Sequence, residues 1–157
     1  MKTVDFSGVE FGAVTDTDNM FRGQAGLTSV NGTFGNLLNS ADGMFMNCLS
    51  LTEIPNLYFS GDSINISRIC GCSAGQGSVG NIILRRAVYA NNCVITSMDY
   101  AFTNQPNIES IYLYDFDINL TSAPTSAFAG CSALSSVTVK ENEHILTALQ
   151  TDLPDKK

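Results

Sequence analysis

One short template recurs along this chain and constrains its fold more tightly than any other feature. It is most complete at Ala127-Phe128, Cys131, Leu134 and Val137, and it returns at Met44-Phe45, Cys48, Leu51 and Ile54. Two looser copies stand at Met20-Phe21, Gln24, Leu27 and Val30 and at Ala101-Phe102, Gln105, Ile108 and Ile111. An ordered apolar pattern with a period of roughly 20 to 50 residues marks a stacked repeat. Phe128 and Cys131 are three positions apart, which suits one turn of helix. Val137 and Val139 alternate as strand residues do. Each repeat is then a single coil, with a strand on one side and a short helical turn or loop opposite.

A single coil cannot bury its own apolar residues, so it must lie on the next. Stacking sets equivalent strands about 4.8 Å apart in one parallel sheet face. Three interior files are expected: Phe21, Phe45, Phe102 and Phe128; Leu27, Leu51, Val79, Ile108 and Leu134; and Val30, Ile54, Ile82, Ile111 and Val137. The fold class is a β-rich α/β solenoid forming one domain, residues 1–157. Residues 1–19 read as an N-terminal cap, 20–140 as about five repeats, and 141–157 as a C-terminal cap and tail. Within that last segment Glu141 to Leu149 reads as a short amphipathic helix stopped before Pro154.

The third repeat is degenerate. A strict period of 24 from Phe21 and Phe45 places Ile69 in the Phe position and Cys72 in the Cys position. Reading back from the strand instead aligns Val79, Ile82 and Leu84 with Leu134, Val137 and Val139, and puts Gln76 and Ser73 in the Cys and Phe positions. We take the second register, because strands must align through their backbone hydrogen bonds. The glycine-rich run Gly71 to Gly80 then forms a loop.

Met44-Phe45-x-x-Cys48-x-Ser50-Leu51-Thr52-x-Ile54 and Ala127-Phe128-Ala129-Gly130-Cys131-Ser132-Ala133-Leu134-Ser135-Ser136-Val137 resemble the BspA-like leucine-rich repeats of bacterial surface proteins. The resemblance spans about Met20 to Val139 and departs from the pattern in the third repeat. It implies a right-handed leucine-rich-repeat solenoid. It also implies a role as an adhesin or other surface recognition module, or as a structural protein of a phage particle, at a bacterial cell surface, outside the cell or on a virion.

Charge narrows the partners. A net charge of −7, with Arg85-Arg86 as the one basic pair, lacks the footprint that nucleic-acid binding needs. No run approaches the roughly 20 apolar residues of a membrane helix, and Met1 to Phe6 has no signal-peptide core.

Chemical motifs are sparse. The five cysteines form no closed framework, and Cys48 and Cys131, at the same template position, read as small buried hydrophobes. Cys70-Gly71-Cys72 lacks the second pair that a zinc site wants. Catalysis by a thiol needs a base, and the one histidine, His144, lies in the tail segment. Asp16-Thr17-Asp18-Asn19 is a capped turn rather than a calcium loop, because no glutamate follows at the required distance. The sequons at Asn31, Asn65 and Asn119 read as turn residues. We therefore expect no catalytic residue, no metal and no cofactor.

What remains is a surface. The outward strand positions carry Tyr58, Ile83, Arg85, Tyr112, Tyr114 and Lys140, with Thr138 among them. Tyrosine and arginine dominate recognition hot spots, although aromatic and β-branched residues also pair well across strands for purely structural reasons. The expected function is recognition of a protein or glycan ligand through these six side chains. The alternative is packing against other subunits of a virion or surface complex, and an enzyme using Cys70, Cys72 or Cys93 is a distant third.

Overall fold

The computed structural model describes residues 2–87 and 90–154, with the side chains of all of these except 35–37. Met1 of the expected N-terminal cap, residues 88 and 89 of the third repeat, and residues 155–157 of the expected C-terminal cap lie outside the described residues. The chain runs through β1 (Lys2–Asp5), β2 (Leu27–Asn31), β3 (Thr33–Leu38), β4 (Asn56–Phe59), β5 (Gly61–Asn65), β6 (Ile82–Ile83), β7 (Arg85–Arg86), β8 (Cys93–Ser97), β9 (Ser110–Tyr112), β10 (Asp117–Ile118) and β11 (Ser136–Thr138). One helix follows, α1 (Glu143–Asp152). Together the strands build a parallel β-solenoid of about five turns with little helix.

The expected strand file is present, and it is not alone. Ile82, Ile111 and Val137 lie side by side in the same direction in the sheet β6-β9-β11. Two further three-stranded sheets, β3-β4-β7 and β5-β8-β10, and the pair β1-β2 complete the β structure, and every pairing is parallel. A coil such as the third therefore makes three strands in succession, β6, β7 and β8, where the template shows one. Asn31 to Asn36, with its glycines and asparagines, reads as turn-forming in the sequence, yet β3 starts within it and is extended, with Thr33 opposite Asn56 and Phe34 opposite Leu57. Phe34 and Leu38 are both fully buried. The neighbouring strand supplies the hydrogen bonds, and tertiary pairing overrides the local composition.

Ile54 departs from the expected file. Residues 51–55 form no strand, and Ile54 is only half-buried. Pro55 has no N–H to give to a ladder, so β4 begins just after it. The stack stays continuous there through Thr52 N–H to Thr28 O (3.5 Å) and Gly80 N–H to Thr52 O (2.8 Å).

On the turn side, hydrogen bonds between coils define the register. Phe21 N–H donates to Met44 O (2.9 Å), Phe45 to Ile69 O (2.8 Å), Cys70 to Ala101 O (3.1 Å) and Phe102 to Ala127 O (2.9 Å). The residue equivalent to Phe45 in the third coil is therefore Cys70, and Ser73 takes the Cys position. This corrects both sequence registers: Ile69 sits one place before the Phe position, and Gln76 and Ser73 do not fill the Cys and Phe positions. Val79, Ile82 and Leu84 keep their expected places and are buried. Elsewhere the Cys and Leu positions are three residues apart, while Ser73 and Val79 are six apart, so the third coil carries a three-residue insertion. The Phe file is accordingly two stacked pairs, Phe21 on Phe45 (5.4 Å between centroids) and Phe102 on Phe128 (6.0 Å), with Cys70 between them in register.

Two positions flanking the Phe file turn left-handed in coil after coil. Two residues before it stand Asn19 (φ 58°), Gly43 (66°), Arg68 (54°), Tyr100 (56°) and Ser126 (46°). Two residues after it stand Gly23 (77°), Asn47 (60°), Asn104 (57°) and Gly130 (77°). This region costs a non-glycine residue of order 1–2 kcal/mol, least for asparagine. Glycine is needed at Gly43 and Gly130 for a second reason, since a Cβ there would collide with the side chains of Asn19 and Asn104 from the coil before.

Cys48 and Cys131 are buried as expected, but they also have a polar role that the sequence reading missed. Each Sγ donates to the carbonyl of the Phe position one coil back, Cys48 to Phe21 O and Cys131 to Phe102 O, both at 3.0 Å. Gln105, in the same position of the fourth coil and fully buried, does likewise with its Nε2 to Cys70 O (2.6 Å). Its Oε1 accepts from Val79 N–H (3.0 Å). One amide thus ties together the two ends of the insertion. Gly77 lies against that amide so closely that a Cβ would overlap it.

The helix comes close to the expected Glu141 to Leu149. Asn142 caps it, Ile145 and Ala148 enter the core, and Asp152 Oδ2 accepts from Phe128 N–H (3.0 Å) on the last coil. Residues 2–19 form most of a coil, with β1 on β2 and Asp16 bridged to Ser40.

Gln105→Leu is expected to destabilise the fold by about 2–4 kcal/mol in urea unfolding, since it leaves a buried carbonyl and a buried N–H unpaired. Gln24→Leu, at the exposed copy of the same position, should stay within about 0.5 kcal/mol.

Candidate functional surface

The six side chains singled out from the sequence come together on the outside of the solenoid, across the corner where β6-β9-β11 gives way to β3-β4-β7. Alternation puts them there: Ile82 and Leu84 are buried with Ile83 and Arg85 facing out, and Ile111 and Leu113 are buried with Tyr112 and Tyr114 facing out. Tyr112 stands between Ile83 and Thr138 across the sheet. Tyr58 stands opposite Arg85 in the second sheet. Ile83 and Tyr114 are each about half exposed, at 50% and 51%. Lys140 follows β11 and is exposed.

Three more residues belong to this surface, and outward alternation alone does not reveal them. Asp115 Oδ1 accepts from the Tyr112 hydroxyl (3.3 Å), and its Oδ2 accepts from Arg86 N–H (3.4 Å). Asp117 pairs with Lys140 at 2.8 Å. Arg86 donates from Nη2 to Ala90 O (2.6 Å). Arg85 enters no ion pair among the described residues. A signal was present in the spacing: Asp115 is three residues past Tyr112, and Asp117 is 23 residues before Lys140, close to one coil. Local burial, followed by the Asp115 charge, raises the Tyr112 phenol above its ordinary range, so the hydroxyl stays neutral. Its hydrogen bond to Asp117 raises the Lys140 ammonium, which stays charged.

The cysteines make a poor chemical site. All five are free and buried, including Cys70 and Cys72, which sit in the core rather than in a flexible loop. Burial pushes the Cys48 thiol up to about 11 and Cys131 up to about 12, and Cys70 lies well above the ordinary range, with Cys131, Cys72 and Cys48 adding to the shift. The thiolate is the nucleophile, so thiols held in this form are inert at neutral pH. His144 lies on α1 with its Nε2 3.9 Å from Glu143. Among the described residues no three His, Cys, Asp or Glu side chains are grouped to hold a metal ion. No described helix is long and apolar enough to cross a membrane.

Comparison with protein-family models, with curated proteins and with solved structures finds no match to this chain.

In the folded protein at neutral pH all five thiols should resist iodoacetamide, and in guanidinium all five should react. Rapid labelling of Cys70 or Cys72 in the folded state, read by mass spectrometry, would contradict the burial described above.

Proposed function

We propose that this chain is a non-enzymatic recognition module of the BspA-like leucine-rich-repeat type. It binds a protein or glycan at a bacterial cell or virion surface through Tyr58, Ile83, Arg85, Tyr112, Tyr114 and Lys140. The observation that carries this reading is the convergence of these residues from four coils on one outward corner, where Ile83 and Tyr114 are half exposed and Tyr58 is only partly buried against the core. Aromatic rings that expose both an apolar face and a hydroxyl suit such contacts. Tyr112→Ala combined with Tyr114→Ala should leave the circular dichroism unchanged and abolish binding to the partner. Retained binding by a folded double variant counts against the surface.

One observation favours a second reading, a structural subunit of a phage particle that assembles through its repeat face or its caps. Strand β1 is paired on one edge only among the described residues, and an unpaired edge is a template for another strand. This reading expects self-association in sedimentation velocity, or co-purification with other particle subunits. A strictly monomeric species that co-purifies with none of them removes it.

A further inference from the structure

The composition of the surface narrows the ligand further than the choice between protein and glycan. This step rests on the recognition reading above and concerns the same corner. Arg85, Arg86 and Lys140 share the corner with Asp115 and Asp117, so it lies within one charge of neutral on a chain whose net charge is −7. Lys140 and Asp117 already satisfy one another at 2.8 Å, and Tyr112 is fixed by Asp115 at 3.3 Å. A polyanion would find little unbalanced positive charge here. A polycation would find still less negative charge.

A protein partner also fits poorly. Stable protein interfaces bury roughly 800 Å² per partner around an apolar centre depleted of charge. At this corner the exposed large apolar side chains are Ile83 and Tyr114, and the rest of the surface alternates carboxylate, cation and phenol. Of the other exposed large apolar residues, Val9, Met20 and Tyr100 stand in turns and loops and Leu146 on α1.

A sugar ring has complementary features. One face carries C–H groups that pack on an aromatic ring, and its rim carries hydroxyls that both donate and accept. Carboxylates accept from such hydroxyls, while guanidinium and ammonium groups donate to them. Tyr114, half exposed, supplies the ring. Asp117, Lys140 and Arg85 supply acceptor and donors around it, and the Tyr112-Asp115 bond holds its neighbour in place. We propose that this corner binds a neutral oligo- or polysaccharide, with Tyr114 as the stacking platform and the Asp117-Lys140 pair and Arg85 as the hydroxyl-binding groups.

The chain has no tryptophan, so its intrinsic fluorescence comes from its five tyrosines, of which Tyr58, Tyr112 and Tyr114 stand at this corner. The probes are soluble cello-, chito-, malto- and laminari-hexaose followed by fluorescence, together with pull-down on insoluble cellulose, chitin and starch, and heparin as the polyanion. The expected result is binding of at least one neutral sugar, weakened about tenfold in Tyr114→Ala. Binding should be unchanged in Tyr100→Asn, a control tyrosine on the turn side whose left-handed backbone asparagine tolerates. Binding of none of the neutral sugars overturns the inference. So does heparin binding alone that is lost in Arg85→Gln with Lys140→Gln. A protein ligand lost in the Tyr112/Tyr114 double variant, with no sugar bound, overturns the saccharide while leaving the recognition reading in place. Sugar binding that no substitution at this corner alters overturns both.

Discussion

The hydrogen bond that one coil's backbone makes to the next is the interaction on which the rest of this structure depends. Along the turn side it runs from Phe21 to Met44, from Phe45 to Ile69, from Cys70 to Ala101 and from Phe102 to Ala127. Each such bond contributes only about 1 kcal/mol net. Their larger effect is to fix register, because side chains can form continuous files only when equivalent backbone positions sit one above another. Once they do, Phe45, Phe102 and Phe128 are almost wholly removed from water. Burying a side chain of that size is worth roughly 1.5–3 kcal/mol. Register therefore comes from the polar backbone and stability from the apolar files, and neither suffices without the other.

The same division explains the Cys position. At Phe21, Cys70 and Phe102 the carbonyl of the Phe position accepts from the side chain three residues further along the next coil, while Phe45 O, opposite the exposed Ser73, accepts from Cys48 N–H instead. The donor is a thiol at Cys48 and Cys131 and an amide at Gln105. A small apolar residue would fill the space and leave Phe102 O or Cys70 O without that donor, at a cost of order 1–3 kcal/mol, while Phe21 O would keep the Gln24 N–H (3.2 Å). The recurrence of Cys at this place is thus a hydrogen-bonding requirement as much as a packing one.

Much of the fold was legible because the template marks buried positions directly. The Leu file at Leu27, Leu51, Val79, Ile108 and Leu134 is buried throughout, and the strand file holds at Ile82, Ile111 and Val137. What escaped has physical causes. The third coil was misaligned on its turn side because three inserted residues separate two stretches that each keep register with their neighbours, so no single period fits both. The left-handed positions were hidden because Asn, Gly, Arg, Tyr and Ser all occupy them. The second and third sheets lie outside the template altogether. At the surface, period-two alternation located the tyrosines, Ile83 and the exposed arginine. The acidic partners Asp115 and Asp117 lie past the corner, where that period breaks.

The insertion clasped by Gln105 says something about how such a chain can grow. Its exposed part, Ser73 to Gln76, lengthens one coil while the coils on either side keep their own lengths. A neighbouring side chain long enough to reach both ends of the added segment is what permits it. In an architecture built by duplication, this lets new projections appear at a single level of the tower without rebuilding the storeys above and below.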